Sequence, residues 1–308
     1  MIHDFYIDSV NFKEFNDWKQ EKENGLNGKK KNEFQQKSED KKYEEWLEEI
    51  FKIPLAQKKK EILNKLKEDK NIDDFCPKHE ELQNLPQNSV LIKIFFTLKR
   101  PYTSKDEGEF HIIDGRIFEN PIVRDKFTGL PMVRPSTWKG HLRFAADKVE
   151  WNDENEKKKI IRWLFGSEPG DVDALKGRLY FFPTFFKDEE GKDVITPLDR
   201  KTRTPVKDKA PISIEVMKPG KSGEFYLLYV PYPKGKDFKE NEIEEDLKFL
   251  AKALDLMFYT YGFSAKKTSG FGVIERLEEN EIEVCPRDRK DIFSILYTKQ
   301  NKTVKDGA

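Results

Sequence analysis

The sequence predicts an α+β fold with a charged, partly helical N-terminal extension, and three observations predict it. Residues 90–99 (VLIKIFFTLK) form a dense β-branched and aromatic run, the signature of a buried strand. Residues 240–262 carry Ile243, Leu247, Leu250, Leu254 and Phe258 along one helical stripe, stopped by Gly262. Before residue 90 the texture is different: lysine- and glutamate-rich and poor in β-branched residues.

The elements follow in order. Residues 20–40 (QEKENGLNGKKKNEFQQKSED) have almost no apolar content and read as a solvated loop or disorder. Residues 41–53 place Tyr43, Trp46, Leu47, Ile50 and Phe51 at helical spacing, with Pro54 ending the pattern, and a second short helix is expected over 56–69. After the strand at 90–99 comes a charged, Gly-bearing loop to about residue 134. Helices are expected over 136–150, N-capped by Ser136, and over 153–165, ended by Gly166. GRLYFFPTFF (177–186) and EFYLLYVPY (224–232) read as strands, 194–217 as two strands around a long basic turn, and GFGVIERL (270–277) as the closing strand. Strand, helices, strands, helix, strand is the order of a ferredoxin-like or RRM-like core. The boundaries drawn are 1–89 for the extension, 90–280 for the core and 281–308 for a C-terminal tail, polar and frayed from about 298.

Composition narrows the function. The chain has 308 residues, with 57 Lys+Arg against 57 Asp+Glu, so it is neutral overall, and nucleic-acid binding must depend on where the cations sit. No stretch approaches the roughly 18 apolar residues of a membrane span, and the N-terminus (MIHDFYIDSVNF) lacks the basic start and apolar run of a secretory signal. Two cysteines, Cys76 and Cys285, cannot build a disulfide framework, so a cytoplasmic location is expected and no membrane partner. Cys76 and His79 lie in CPKH, but no paired CxxC completes a zinc pattern, so no resident metal site is assigned.

Three segments carry chemistry. FENPIVRDKFTGLPMVRPSTWKGHLR (118–143) sets Arg124, Lys126, Arg134, Lys139 and Arg143 within a short span. Ser136 and Thr137 at a helix start would leave N–H groups open to a phosphate, and Lys139 and Arg143, spaced i, i+4, share one face. The alternative is an ordinary capped helix with solvated cations. In KKTSGFGVIE (266–275), Lys266, Lys267 and Ser269 supply charge and donors, while Gly270 and Gly272 allow close backbone approach; a purely structural turn is the alternative. DRKTRTPVKDK (199–209), with Arg200 and Arg203, suits a hairpin tip that tracks a phosphate backbone, or a tip that is merely solvated. His111 and His141 are of the right type for a general acid or base. Trp138 is either a stacking surface for a base or a core residue.

Taken together, FENPIVRD, TGLPMVRPSTWKGHLR, LFGSEPG, GRLYFFP, a basic hairpin and a terminal SGFG turn resemble the RAMP (repeat-associated mysterious protein) superfamily, and within it the backbone subunits of type III CRISPR effector complexes. The likeness covers roughly residues 90–277. It implies a ferredoxin-like core that holds a guide RNA by its backbone, with target RNA and other effector subunits as partners. It also implies that 194–217 is a β-hairpin thumb. Carried over by motif, Ser136, Thr137, Lys139 and Arg143 contact guide phosphates and Lys266–Gly272 flanks the RNA. Cleaving members use an acidic residue with a divalent cation, magnesium or manganese, on the target RNA. Glu119 stands here where they carry Asp, and Asp114 and Asp106 lie in the same loop. A metal-independent, guide-processing endoribonuclease and a non-catalytic RNA-binding or assembly module are the alternatives.

Overall fold

The computed structural model describes residues 12–51, 72–104, 111–113, 116–118, 122–168, 170–171, 173–196, 199, 202, 204–206, 211–235 and 238–298. The helix expected over 56–69 and the tail beyond residue 298 lie outside them. In chain order the helices are α1 (Phe12–Gly25), α2 (Gly28–Gln36), α3 (Glu39–Phe51), α4 (Pro135–Ala146), α5 (Glu154–Phe165) and α6 (Asn241–Asp255), the last running into a π-helical turn, Leu256–Tyr261. The strands are β1 (Val90–Thr97), β2 (His111–Ile113), β3 (Arg116–Phe118), β4 (Met132–Val133), β5 (Leu179–Phe181), β6 (Thr184–Phe185), β7 (Gly191–Ile195), β8 (Ile212–Val216), β9 (Ser222–Tyr229), β10 (Leu277–Glu278), β11 (Ile282–Cys285) and β12 (Tyr297–Thr298). Helix and sheet are mixed, as the α+β reading requires.

The chain forms two compact units, interleaved along the sequence: residues 1–70, 104–130 and 192–215 in one, and 71–103, 131–191 and 216–308 in the other. In the first, α1–α3 close around an aromatic cluster. The rings of Phe15 and Tyr43 meet edge-on at 5.1 Å, Phe15 and Trp46 at 5.4 Å, and Trp18 and Phe34 at 6.0 Å. This corrects the expectation of a loop over 20–40. One buried aromatic, Phe34, anchors that stretch, and Lys37 and Lys42 lay their ammonium groups over its ring. The unit also holds the β2–β3 hairpin, and β7 pairs with β8 as a two-stranded ribbon.

The second unit is built on a four-stranded antiparallel sheet in the order β11-β1-β9-β5. Ile94 of β1 faces Ile282 on one side and Phe225 on the other. The central β1 thus sits between the last and the third of these strands in chain order. Helices α4 and α5 fall between the first and second strands, and α6 between the third and fourth. Two expectations change here. The closing strand is Ile282–Cys285, drawn from the segment expected to be tail; 270–277 makes only an isolated bridge, Leu98 to Ile274, and the short β10. The expected strand 177–186 is two, because Pro183 carries no N–H for a continuous ladder. β5 pairs with β9, and β6 pairs with β4.

The five hydrophobic positions read from the α6 stripe, including Phe258 in the π turn, are all buried. Beneath the helices lies an aromatic core: Trp138 meets Phe263 at 4.4 Å and Phe225 at 4.7 Å, and Phe96 meets Phe263 at 5.5 Å. Such rings each bury about 150–250 Å². They therefore fix α4 against the chain leaving α6.

Candidate nucleic-acid interface

The platform begins at α4. Arg134 occupies the N-cap position and Pro135 the first helical one. Ser136, expected to cap, lies inside the first turn instead, because Pro135 already supplies the helical φ and needs no donor. The N–H groups of Thr137 and Trp138 both donate to the Arg134 carbonyl, at 2.9 and 3.1 Å. Of the amides expected to be open to a phosphate, Thr137's is therefore occupied. What the helix presents outward is side chain: Ser136 and Lys139 are exposed, and Thr137 is half-buried. Arg143 is half-buried and bonds Glu168 at 2.9 Å. Trp138 is fully buried, with its indole N–H donated to the Thr184 hydroxyl at 3.1 Å, so it is core and not a stacking surface.

The second part is the turn after α6. Gly262, at φ +71°, ends the π turn, and its N–H bonds the Met257 carbonyl at 2.8 Å. The chain then doubles back. The Phe263 N–H reaches the Gly272 carbonyl at 3.2 Å, and the Gly272 N–H donates to the Pro101 carbonyl at 2.8 Å. At Gly272 (φ +79°) a Cβ would lie 2.6 Å from the Ser264 nitrogen, so this glycine is required by chain-on-chain packing. Gly270, at φ +74°, has open space around it and stands at the tip beside the exposed Lys266 and Ser269. The two glycines of the turn thus divide the structural and the ligand-facing readings between them.

Strand β1 ties the turn down. The N–H groups of Lys99 and Arg100 both donate to the Val273 carbonyl, at 3.0 and 3.1 Å. The Ser264 hydroxyl donates to the Thr103 carbonyl and accepts from the Thr103 N–H, at 2.9 and 3.0 Å. Lys99 and Arg100 are exposed. Sequence reasoning missed them, since only the fold carries the exit of β1 to this turn.

Helix and turn meet through side chains. The Lys267 ammonium lies 3.7 Å from the centroid of the Phe144 ring, and the Tyr261 ring meets that of Phe144 at 5.3 Å, nearly perpendicular. His141 sits one turn before Phe144. Its burial and the Lys267 charge lower its pKa from the ordinary 6.5 to about 4, so it is neutral at physiological pH. Burial also pulls the Lys267 ammonium below the usual lysine range.

The remaining predicted residues fall elsewhere. Arg124 is turned inward and 4% exposed; its guanidinium donates to the Gly129 carbonyl at 3.0 Å and to Glu215 at 2.9 Å. The second Glu215 oxygen accepts from the Ile122 N–H at 2.8 Å. Arg124 therefore locks a turn, and its expected place on an RNA surface is corrected: a buried cation survives only when paired, and Glu215 pairs it. Asp106, Asp114, Glu119, Arg200 and Arg203 lie outside the described residues; β7 and β8 pair on either side of the basic turn, with β7 beginning at Gly191, ahead of the expected range 194–217. Among the described residues no cluster of three or more His, Cys, Asp or Glu could hold a metal ion, and no helix is long and apolar enough to cross a membrane.

Elsewhere on the sheet unit, a groove of about 440 Å³ surrounds Phe95 and Glu224, which alternate with the core-facing Phe96 and Phe225. Asp188, Glu224 and Glu281 line it together with a single lysine, Lys187, and Asp188 is paired with Lys221 at 3.2 Å. α4, the exit of β1 and the turn carry cations without such a lining of carboxylates.

A family model of the RAMP superfamily matches residues 107–275, over half of the sequence, and the chain belongs to that superfamily. Among curated relatives, the CRISPR system Cms endoribonuclease Csm3 of Streptococcus thermophilus is 27% identical over 180 residues, covering 53% of this chain and 78% of that protein. The protein of the same name from Mycobacterium tuberculosis (strain ATCC 25618 / H37Rv) is 29% identical over 181 residues, covering 51% and 74%. A chain in the cryo-EM structure of the type III-B Cmr-beta complex bound to cognate target RNA aligns over 84% of this chain and 78% of its own length, with 19% identity and a TM-score of 0.43.

Proposed function

We propose that this chain is a guide-RNA-binding subunit of a type III CRISPR ribonucleoprotein effector, holding the RNA by its backbone and assembling with target RNA and neighbouring subunits. Membership of the RAMP superfamily and likeness to two proteins named Csm3 support the class. One observation carries the site: α4 and the 266–272 turn converge, and Lys139, Lys266 and Lys267 have no carboxylate partner among the described residues. Uncompensated cations over a rigid aromatic core fit a ligand whose charge repeats and whose sequence varies.

In this reading the four-stranded sheet is a ferredoxin-like core, and the β7–β8 ribbon is the base of a thumb-like hairpin that brings Arg200 and Arg203 to the RNA. Ser136, Thr137, Lys139, Arg143, Lys266, Ser269 and Gly270 border the backbone. Cleavage of target RNA rests on Glu119, Asp114 and Asp106 with magnesium or manganese; their carboxylates are the groups a divalent cation would engage.

Purification of the full chain from its host tests the assignment. A discrete small RNA should accompany it, protected at regular intervals, and absence of any bound RNA species would remove the reading. In the assembled complex, target cleavage should stop with EDTA and return with manganese. Cleavage that persists in chelator would instead favour metal-independent processing.

A further inference from the structure

Phe144 is 37% exposed, an unusual position for a phenylalanine on a helix whose other aromatic, Trp138, is wholly buried. Its ring nevertheless has defined neighbours. One face carries the Lys267 ammonium at 3.7 Å, inside the roughly 6 Å range in which a cation is drawn to a ring. Tyr261 packs against it at 5.3 Å, and the Lys148 ammonium lies at 5.8 Å. Tyr261 reaches this place from the π turn, Leu256–Tyr261, whose wider winding rotates the end of the helix relative to a regular α continuation. His141, neutral because it is buried beside Lys267, adds no repulsion to the ammonium.

We propose that Phe144 is a positioning residue that holds the Lys267 ammonium in place for an RNA phosphate, with Tyr261 packed against the ring. This rests on the RNA-binding reading above. The face of Phe144 that Lys267 covers cannot stack a base, so what the ring contributes to RNA is the placement of the cation. A free lysine side chain must give up rotamer freedom when it meets a phosphate; one already seated on a ring has given up most of it. Lys267 is also half-buried, so its charge is less well solvated than that of exposed Lys139 or Lys266 and gains more from an anion. Phe144 lies just past the motif that ends at Arg143, and nothing in its local spacing marks it.

The test uses the full chain and a fluorescently labelled single-stranded RNA of random sequence, with dissociation constants measured across a salt series and melting temperatures recorded for every variant. Phe144→Leu and Lys267→Ala should each weaken binding by up to about fivefold, the scale of one exposed ion pair. Each should also flatten the dependence of log affinity on log salt by about 0.7, the share of one phosphate on a single strand. Phe144→Trp, which keeps a ring face, should retain the wild-type slope, and Phe144→Leu/Lys267→Ala should bind no worse than Lys267→Ala alone. Should Phe144→Leu lower the melting temperature, Phe144→Met takes its place.

A Phe144 variant that loses affinity with an unchanged salt slope would show a purely structural role and overturn the proposal, as would additive losses in the double variant. If Lys139→Ala flattens the slope while Phe144→Leu and Lys267→Ala do not, the positioning role fails and the RNA reading stands. If none of Lys139→Ala, Lys266→Ala and Lys267→Ala alters the slope, both fail.

Discussion

Lysines sit over aromatic rings both on the N-terminal helices and on the α4 platform, but the two sets are balanced differently. On the N-terminal helices, Lys19 lies over Phe15 and bonds Glu39 at 2.8 Å, and Lys22 lies over Trp18 and bonds Glu49 at 2.5 Å. Lys37 and Lys42 both lie over Phe34 and are paired with Glu45 and Glu39. These lysines hold Glu39 and Glu49 below the usual carboxylate range. On the α4 platform, Lys267 lies over Phe144, and among the described residues Lys139, Lys266 and Lys267 have no carboxylate partner. The pairing of a cation, more than its presence, separates a charge that holds helices together from one left open to a ligand. A chain with zero formal net charge can carry a polyanion site on this principle alone.

Deleting paired charges should cost stability in proportion to burial, and the deepest pair gives the largest effect. Arg178 is wholly buried, bonding Asp246 at 2.7 Å, and the Tyr229 hydroxyl donates to the same carboxylate oxygen at 2.8 Å. Asp246→Ala should lower unfolding free energy by about 3–5 kcal/mol in urea titrations, because it leaves a buried guanidinium with only the more distant Glu242, 3.8 Å away. A loss under about 1 kcal/mol would show that water or Glu242 replaces the partner easily.

His141 sharpens the contrast from the other side, since its burial, and then its neighbour Lys267, disfavour charge. Its pKa of about 4 lies below the unfolded value near 6.5, so between these values the unfolded chain binds a proton that the folded one refuses. Stability should therefore fall as pH drops through that window, by up to about 3 kcal/mol, and be unaffected by this group above it. His141→Gln should flatten that part of the profile in thermal melts; an unchanged slope would place the titration elsewhere.

The smallest effects make the cleanest comparison. Lys22→Ala, at a paired and exposed site, should change stability by less than about 1 kcal/mol and leave RNA affinity alone. Lys139→Ala should do the reverse, sparing the melting temperature while reducing the salt slope of RNA binding by about 0.7. If the two variants behave alike in both assays, pairing does not discriminate the two kinds of lysine.

Much of the fold is legible before any coordinates. β1, α4, α5, β9 and α6 follow from β-branched runs, a 3.6-residue apolar stripe and glycine stops, because those signals are local. The errors have local reasons as well. Pro183 splits a largely apolar and aromatic run, and residues 20–40 become helical with one buried aromatic, Phe34, whose ring partner Trp18 lies outside that stretch. The motif spacing located the two halves of the platform but misplaced the cap. It also sent Arg124 to the surface, because an arginine's letter does not say whether a glutamate ninety residues away will neutralise it.

What the sequence alone determined is β1, β9 and the three helices of the sheet unit, the segments that bear cations, and the family pattern that joins them. Only the tertiary structure decided which cations stay unpaired, that Gly272 is occupied by packing while Gly270 is open, and that Phe144 lies under Lys267. Secondary structure is specified by neighbours within a few residues. Charge compensation and close approach are settled between segments that can lie far apart, 91 residues for Arg124 and Glu215, and their outcome exists only once the chain has folded.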